Sequence, residues 1–377
     1  MQIRKLALSL SLLCAAGAAL AEITVGVTIA ATGPAASLGI PEKNTVALLP
    51  PTIAGEKVKW IVLDDATDSS NAVKNARKMI SEDKIDVLIG SSTVPTSLAL
   101  VEVANETKTP QLALAPIAPA PDKRAWVFIA PQSNAVMASA IVEHMQASGV
   151  KTMGFIGYND PFGEGYFKEV APLAEKAGIK IVASERYNRT DTSVTAQALK
   201  LISANPEAVL IVGSGTPAAL PQATLFDRGY KGRIYQSHGA ANRDFLRVGG
   251  KAVEGAILPV GPMLVYEQLA DTHPLKKLAG DYIRAYEAAH GPDSRSTFGG
   301  HAYDAFLMIS RAVPEAMKKA KPGTAEFRAA LRDALEGIKE MPATHGVFTM
   351  SPTDHNGLDA RARVMVRVEG GNWKLIK

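Results

Sequence analysis

The chain has 377 residues, and its 41 basic and 37 acidic side chains give a formal net charge of +4. This near balance, without a long basic run, argues against nucleic acid as a partner. A chain of this length is expected to form two domains, and it can bury a core that is stable without disulfides. Beyond the N-terminal segment no hydrophobic stretch approaches membrane length, which predicts a soluble mature protein.

The N-terminal 21 residues have the pattern of a secretory signal peptide. Arg4 and Lys5 precede an apolar run over residues 6–20, and the small residue Ala21 closes the segment. The run is shorter than the roughly 20 residues that span a bilayer, which argues against a retained membrane anchor. We therefore predict an exported protein that is cleaved after Ala21 and is found in the periplasm.

Cys14 is the only cysteine and allows one alternative, a lipoprotein anchored through this residue. Leu13 argues against it, because a lipobox has a small residue just before the cysteine. Cleavage after Ala21 would remove Cys14. The mature chain would then have no disulfide, no thiol nucleophile and no cysteine metal ligand.

Runs of β-forming residues alternate with helical patterns through the first 260 residues. The strand-like runs cover residues 23–29, 58–63, 87–89, 111–114, 152–156, 179–183, 208–212 and 233–236. Between them, apolar residues at helical spacing predict helices, for example over residues 70–81 and 136–147. This order is typical of parallel βαβ units and predicts an α/β fold.

The pattern divides the chain into two blocks and a helical segment. One block ends near residue 135 and the second near residue 260, and residues 275–335 are mainly helical in pattern. Short strand-like runs then follow at residues 346–350, 364–368 and 373–376. We interpret this organisation as two α/β lobes between which the chain crosses more than once.

Motifs for enzyme chemistry are weak in this chain. Residues 213–218 fit the G-x-G-x-x-A nucleotide fingerprint, but no acidic residue ends the next strand, so a tight turn facing a cleft is favoured. No G-x-S-x-G motif is present, and four histidines lack the spacing of a zinc site: His238, His301, His345 and His355. We therefore predict no catalytic residue, no cofactor and no metal.

A more informative turn joins the strand at residues 87–89 to the helix that follows. It contains Ser91, Ser92 and Thr93. Free backbone N–H groups and small hydroxyl residues at a helix N-terminus suit a carboxylate, and ligands of open α/β sheets gather at the carboxyl ends of strands. We predict a ligand contact here, with ordinary N-capping as the alternative.

Several short motifs occur in a fixed order along the mature chain. They are the strand at 23–29 followed by residues 32–39, the pair Asp64-Asp65, the turn at 90–93, and residues 162–165 and 302–305. Together they resemble the branched-chain amino-acid-binding family of periplasmic receptors. The resemblance implies a type I periplasmic binding protein, with two Rossmann-like lobes that have parallel-rich sheets and are joined by a multi-crossing hinge.

The resemblance also implies how the protein works. Its Venus-flytrap lobes would close on a small molecule, and the receptor, a monomer, would deliver it to an inner-membrane ABC permease. The first lobe is expected to comprise residues 22–136 plus 263–345, and the second residues 137–262 plus 346–377.

The family's ligand contacts can be carried over to this sequence one by one. They fall on Leu38, Ser91, Ser92, Thr93, Ala115, Ile117, Phe162, Ser214, His238 and Tyr303. Two of these depart from the amino-acid receptors. His238 stands where those receptors place an acidic residue against the ligand's ammonium group, and Ile117 stands where they offer a threonine hydroxyl.

The change to His238 bears on the ligand, because a histidine cannot replace a carboxylate as the partner of an ammonium group. With Tyr158, Phe162, Tyr235 and Phe298 expected near the cleft, we predict a small aromatic carboxylate. The chain is similar to the subgroup that binds acids such as benzoylformate, hydroxybenzoates or cinnamates. For His238 itself, a surface position at the start of a loop is the alternative.

Other functions stay open at this point. The nearest is the same receptor role for branched-chain or other aliphatic amino acids. More distant ones are a secreted α/β hydrolase and the sensor domain of a signalling system on the same fold.

Overall fold

The computed structural model describes residues 22–376. The predicted signal peptide, residues 1–21, lies outside these described residues. Within them the chain folds into two α/β lobes, each built on one large sheet. No helix in this part is both long and apolar enough to cross a membrane. The two sheets and their connecting helices confirm the predicted α/β fold class.

The first sheet has six strands, which run from residue 23 to residue 129. They are β1 (Ile23–Ile29), β2 (Thr52–Ile53), β3 (Glu56–Asp64), β4 (Val87–Gly90), β5 (Gln111–Ala113) and β6 (Val127–Ile129), in the order β2-β3-β1-β4-β5-β6. All neighbours pair in parallel except β2 with β3. The connecting helices are α1 (Ala36–Val46), α2 (Ser69–Ser81) and α3 (Val94–Thr107).

The second sheet has seven strands, of which five come from the middle of the chain. These are β7 (Thr152–Tyr158), β8 (Lys180–Tyr187), β9 (Ala208–Val212), β10 (Arg233–Gln236) and β11 (Ile257–Val260). They pair in parallel in the order β11-β10-β9-β7-β8. The helices of this part are α4 (Asn134–Ala147), α5 (Pro161–Lys176), α6 (Thr195–Ser203), α7 (Ala219–Asp227) and α8 (Arg243–Gly249).

The last third of the chain returns to both lobes. It forms α9 (Lys276–His290), α10 (Thr297–Met317), α11 (Ala325–Glu336), a short hairpin of β12 (Met341–Pro342) and β13 (Val347–Phe348), and the strands β14 (Val364–Glu369) and β15 (Asn372–Leu375). Buried side chains of α10 and α11 pack in one core with those of β1. β14 pairs antiparallel with β11 and β15 with β14, which completes the second sheet.

Strand β1 is buried on both faces, since six of its seven residues are buried. Alternate residues of a strand point to the same face, and one face of β1 carries four fully buried apolar side chains, Ile23, Val25, Val27 and Ile29. Gly26 also lies within this strand, where an added Cβ would come within 2.7 Å of Ile85 on the neighbouring layer.

Each predicted strand overlaps an observed one, but four strands were missed, β2, β6, β11 and β12, of which β2 and β12 have two residues each. β6 has only three residues, and β11 contains Pro259, so neither gives a clear strand pattern. The predicted strand over 346–350 is limited to residues 347 and 348, which pair with β12.

We propose lobe boundaries that follow the expected ones with a change at the last crossing. The second lobe was expected to resume at residue 346. However, Phe348, Met350 and Ala362 pack in the core of the first sheet, whereas β14 joins the second sheet. We therefore place the last crossing near residue 363 and keep the expected crossings near residues 136 and 262.

Candidate functional site

A cavity lies between the lobes, where the carboxyl ends of strands from both sheets face each other. It encloses about 20 Å³, space for about one water molecule, so its walls are close together and a larger ligand requires them to separate. This edge of an α/β sheet is where ligands commonly bind. The lining residues are Leu38, Ser92, Thr93, Val94, Leu114, Ala115, Pro116, Phe162, Arg189, Ser214, His238, Gly239, Phe298 and His301.

The two walls touch beside the cavity. The backbone N–H of Thr216 donates a hydrogen bond to the hydroxyl of Ser37 across the cleft, at 3.2 Å. Gly215 has a φ of +64°, and a Cβ at this position would lie 2.4 Å from Ser37 Oγ. Only glycine therefore allows both this backbone conformation and the close approach of the lobes.

The turn after β4 forms the floor of the cavity on the first lobe. Gly90 has a φ of +129°, and an added Cβ would lie 2.1 Å from the carbonyl oxygen of Thr28. The hydroxyl of Ser91 points away from the cavity and donates to the Asp65 carboxylate at 2.6 Å. Ser91 is thus behind the lining layer.

Ser92 lines the cavity, yet its hydroxyl is used within the protein. It accepts a hydrogen bond from the backbone N–H of Ala30 at 2.9 Å and donates to the carboxyl group of Glu42. Glu42 is fully buried, and burial raises the pKa of its carboxyl group well above the usual range. The Ser92 hydroxyl donor is therefore committed to Glu42.

Thr93 is the N-cap of α3, as the alternative interpretation of this turn proposed. Its backbone N–H donates to Thr96 Oγ1 at 3.2 Å, and the two threonine hydroxyl oxygens lie 2.7 Å apart. This arrangement is a capping box. The turn consequently offers the cavity a helix N-terminus and few free hydroxyl donors.

Arg189 is the charged side chain in the cavity wall, and sequence analysis did not select it. Its Nε donates to Asp160 Oδ2 at 3.0 Å, and its Nη1 donates to Ser214 Oγ at 2.7 Å. The guanidinium carbon lies 4.1 Å from the centre of the Tyr158 ring. An arginine has five N–H donors, so these two bonds leave three for other partners.

Arg189 is held in place by the local structure of the second lobe. Asp160 caps the N-terminus of α5 and accepts from the backbone N–H groups of Phe162 and Gly163, at 2.8 and 3.1 Å. The Tyr158 hydroxyl donates to the Ser214 carbonyl at 2.8 Å. The guanidinium group is therefore fixed between a carboxylate, an aromatic ring and a hydroxyl, with 12% of the side chain exposed.

The same arginine also faces a more open part of the cleft. A hollow of about 200 Å³ is lined by Arg189 and Thr93 together with Thr67, Pro95 and Asn188, among others. Arg189 thus stands between the inner cavity and the outer cleft.

His238 follows β10 in a 3₁₀ turn and is buried, so the alternative of a surface histidine is wrong. Its ring is stacked on Tyr166, with centroids 6.1 Å apart, and lies edge-to-face with Phe162. Its Nδ1 has no hydrogen-bond partner among residues 22–376. Burial lowers the pKa of His238 to about 4, so the ring is neutral at pH 7.

His301 is a second buried histidine of the lining, and it was considered in the sequence only as an unlikely metal ligand. It lies on α10, and neither of its ring nitrogens has a partner within the described part of the chain. Burial lowers its pKa well below the usual value, and His345 and His238 lower it further. Among residues 22–376, no cluster of three His, Cys, Asp or Glu side chains is arranged to hold a metal.

The structure brings seven of the ten predicted site residues together in the lining: Leu38, Ser92, Thr93, Ala115, Phe162, Ser214 and His238. Ser91, Ile117 and Tyr303 are not among the lining residues. Ile117 is buried in the core beside the cavity. The Tyr303 ring stacks on Tyr282, with centroids 4.6 Å apart, and therefore holds α10 against α9.

The expected aromatic side chains also divide into two groups. Phe162 and Phe298 line the cavity. Tyr158 lies one layer behind it, under Arg189. Tyr235 is in the core of the second lobe, with its hydroxyl 2.9 Å from His144 on α4.

Comparison with known proteins decides the family. A family model described as "Periplasmic binding protein" matches residues 22–372. The chain belongs to this family. Among curated relatives, Leu/Ile/Val-binding protein homolog 3 of Brucella melitensis is 26% identical over 352 residues, which cover 90% of this chain and 89% of the relative.

Solved structures agree with this assignment. An extracellular ligand-binding receptor from Rhodopseudomonas palustris is 47% identical, with a TM-score of 0.93 over 94% of this chain and 99% of that one. The branched-chain amino acid transporter substrate-binding protein LivJ of Streptococcus pneumoniae, solved with isoleucine, shares the fold at 18% identity and a TM-score of 0.80, over 94% of this chain and 99% of that one. The predicted resemblance to the Leu/Ile/Val-binding family is confirmed.

The buried His238 makes the stability of this periplasmic binding protein depend on pH. The unfolded chain takes up a proton near pH 6.5, whereas the folded chain resists it until about pH 4. Stability that is complete above pH 6.5 is therefore lost as the pH falls towards 4, by about 2 kcal/mol at pH 5. Urea unfolding of the ligand-free protein at pH 7 and pH 5 measures this loss.

The contribution of His238 is isolated by comparison with a His238→Gln variant. The wild type should lose about 2 kcal/mol more than this variant between the two pH values. His290→Gln, a substitution at an exposed helix end, should behave as wild type. Equal losses in wild type and His238→Gln would show that His238 does not resist protonation in the folded state.

Proposed function

We propose that this periplasmic binding protein is the receptor of an ABC importer and captures a small aromatic carboxylate in the cavity between its lobes. It acts in the periplasm as a monomer after cleavage behind Ala21, hands its ligand to an inner-membrane permease, and is not an enzyme. The observation that carries the ligand class is Arg189, a partly exposed cation with free donors in an otherwise uncharged and largely apolar wall.

Arg189 supplies what a carboxylate ligand needs. A guanidinium group binds a carboxylate through two parallel N–H donors, with charge-assisted bonds stronger than neutral ones. Asp160 balances part of its charge and fixes its orientation through the bond to Nε. The hydroxyl of Ser214 holds Nη1 in the same plane, so the remaining donors are preorganised before ligand arrives.

The apolar residues of the lining suit a flat hydrocarbon body. Leu38 and Phe298 come from the first lobe and Phe162 from the second, and Leu114 and Ala115 lie at the end of β5. An aromatic ring enclosed by these side chains is removed from water on both faces when the lobes close. Micromolar affinity requires about 8 kcal/mol, which a paired carboxylate and a buried ring can supply.

The acidic residues near the cavity already have partners within the protein, which argues against an α-amino acid as the ligand. Among the described residues, no Asp or Glu belongs to the lining. Glu42 and Asp65 are behind the turn and are bonded to Ser92 and Ser91, and Asp160 is paired with Arg189. The ammonium group of an amino acid would therefore be buried without a carboxylate partner, which is costly.

The arrangement does not favour a hydrolase either. In the lining, the hydroxyl of Ser214 accepts from Arg189, and that of Ser92 donates to Glu42. Neither serine is hydrogen-bonded to a histidine within the described residues, as a serine nucleophile with its general base would be. The lining instead resembles a closed binding pocket.

Branched-chain amino acids are the second candidate ligands, because the relatives' names point to them: several are Leu/Ile/Val-binding proteins. The same cavity could enclose an aliphatic side chain in place of the ring. This candidate requires an ammonium partner that the lining described above does not supply.

A panel of ligands separates the two candidates. We expect benzoylformate or 4-hydroxybenzoate to raise the melting temperature of the purified mature protein, because a ligand present at 100 times its Kd stabilises the folded state by about 2.7 kcal/mol. Leucine and valine should leave it unchanged. Differential scanning calorimetry at pH 7 measures both results, and a shift with leucine but with neither acid would overturn the proposed ligand class.

A further inference from the structure

Two imidazole rings line the cavity with ring nitrogens that make no hydrogen bond within the described part of the chain. Neither ring nitrogen of His301, nor Nδ1 of His238, has a partner within residues 22–376. The His301 side chain is 2% exposed and that of His238 is 5% exposed. Buried polar groups are normally hydrogen-bonded, so these nitrogens call for a partner from outside the chain.

We propose that His238 and His301 select an aromatic acid that carries a hydroxyl group, and that they hydrogen-bond this hydroxyl in the closed complex. The inference rests on the proposed function and adds to it the second polar group of the ligand. It assigns Arg189 to the carboxylate end and the histidine pair to the hydroxyl end.

The chemistry of a neutral imidazole pair matches a hydroxyl group. Each neutral ring has one N–H donor and one acceptor nitrogen, and a hydroxyl has one donor and an oxygen that accepts. One histidine can therefore donate to the hydroxyl oxygen while the other accepts its proton. Burial lowers the pKa of both rings, so neither ring supplies the positive charge that a second carboxylate would need.

Packing against neighbouring rings holds both histidines in position. The His301 ring lies against His345, with centroids 4.2 Å apart. His345 is fixed in turn, because its Nδ1 lies 2.9 Å from Asp304 Oδ2 and its Nε2 lies 2.8 Å from Thr297 Oγ1. His238 is placed by the aromatic rings of Phe162 and Tyr166. Such rings keep their orientation while their polar atoms stay available.

The pair also joins the two lobes through the ligand. His301 lies on α10, whose side chains pack in the core of the first sheet, and His238 follows β10 of the second sheet. A hydroxyl bonded to both rings would be held by both lobes at once. A ligand with this group should therefore stabilise the closed form more than one without it.

Titration calorimetry of the mature protein with benzoate, 3-hydroxybenzoate and 4-hydroxybenzoate tests the proposal. Wild type should bind at least one hydroxylated acid about tenfold or more tightly than benzoate, because a site built for a hydroxyl rejects the analogue that lacks it. His301→Phe should reduce this ratio to about threefold or less, because it weakens the hydroxylated acids more than benzoate. His301→Gln retains a donor and an acceptor and should keep part of the preference.

The results of this titration distinguish a failure of the histidine role from a failure of the proposed function. His301→Phe removes no hydrogen bond within the described residues, so its melting temperature without ligand should equal or exceed that of wild type. Equal binding of benzoate and the hydroxylated acids by wild type, or an unchanged ratio in His301→Phe, would overturn the role of the histidines and leave the proposed function standing. Binding of leucine alone would overturn both.

Discussion

The Arg189→Ala variant is expected to bind the aromatic acid about 100-fold more weakly than wild type. Replacement removes the charged group that lines the cavity, and with it the donors left free by the bonds to Asp160 and Ser214. Two charge-assisted hydrogen bonds are worth about 3 kcal/mol together, and about 1.4 kcal/mol is tenfold in Kd. Titration calorimetry with 4-hydroxybenzoate or benzoylformate at pH 7 measures the change.

The variant should fold, because Asp160 has other partners. Its carboxylate still accepts from the backbone N–H groups of Phe162 and Gly163, which keeps the N-cap of α5. We expect the unliganded variant to show an intact cooperative transition in thermal unfolding. A loss of binding can then be assigned to the missing guanidinium group.

Two further substitutions sharpen this test. Arg189→Lys keeps the charge but has only three N–H donors, on a single nitrogen. These are too few to keep the bonds to Asp160 and Ser214 and also to hold a carboxylate through two donors, so the variant should bind with intermediate affinity. Arg186→Ala is the matched control: Arg186 pairs with Glu164 and lies over the Phe155 ring at 4.9 Å, but it is not part of the cavity lining. Unchanged affinity in Arg189→Ala, or an equal loss in Arg186→Ala, would contradict the role of Arg189.

Much of the fold follows from local patterns in the sequence. Strand β9 is a continuous apolar run because helices cover both faces of its sheet. Partial failures occur where the strands are short or charged. The strand predicted over 179–183 continues to Tyr187, because β8 is an edge strand that carries the charged residues Glu185 and Arg186.

That edge strand also explains why Arg189 was missed. A strand that ends at residue 183 would place Arg189 six residues beyond it, in a loop. In the structure it is two residues beyond Tyr187, at the carboxyl end of the sheet where ligands bind. A prediction that the strand ends at Tyr187 would have identified Arg189 as a candidate site residue.

The histidines show a different limit of sequence reasoning. His238 was selected because it stands at a position that the family uses for ligand contact. His301 has no such mark, since it is one buried residue on the apolar face of α10. Its importance depends on two facts that only the structure gives, its place in the cavity lining and its unpartnered ring nitrogens.

The motif at residues 302–305 is informative for a reason other than the expected one. Tyr303 was expected to contact the ligand, but the motif matters for the buried hydrogen bonds of Asp304. Asp304 is fully buried and accepts three hydrogen bonds. Two come from the backbone N–H groups of Thr344 and His345, at 2.7 and 3.1 Å, and the third comes from the ring Nδ1 of His345, at 2.9 Å. It ties α10 to the segment before β13 and orients the ring beneath His301.

Asp304→Ala is therefore expected to lower the free energy of unfolding by about 3 to 5 kcal/mol. The change leaves two backbone N–H groups and the Nδ1 group of His345 without their buried acceptor. A loss of this size is a large part of the 5 to 15 kcal/mol that is typical of folded domains, at about the upper limit for one substitution. Urea unfolding of the ligand-free protein at pH 7 measures it.

Two further variants, Asp304→Asn and Asp333→Ala, serve as controls for this result. Asparagine keeps the side-chain volume and one acceptor oxygen, so Asp304→Asn should lose clearly less than Asp304→Ala. Asp333 pairs with Arg332 at the surface, where its side chain is 45% exposed, and its replacement should cost less than about 1 kcal/mol. If Asp304→Ala were as stable as Asp333→Ala, the three hydrogen bonds would not hold α10 in place. The ring of His301 would then owe its position to packing alone.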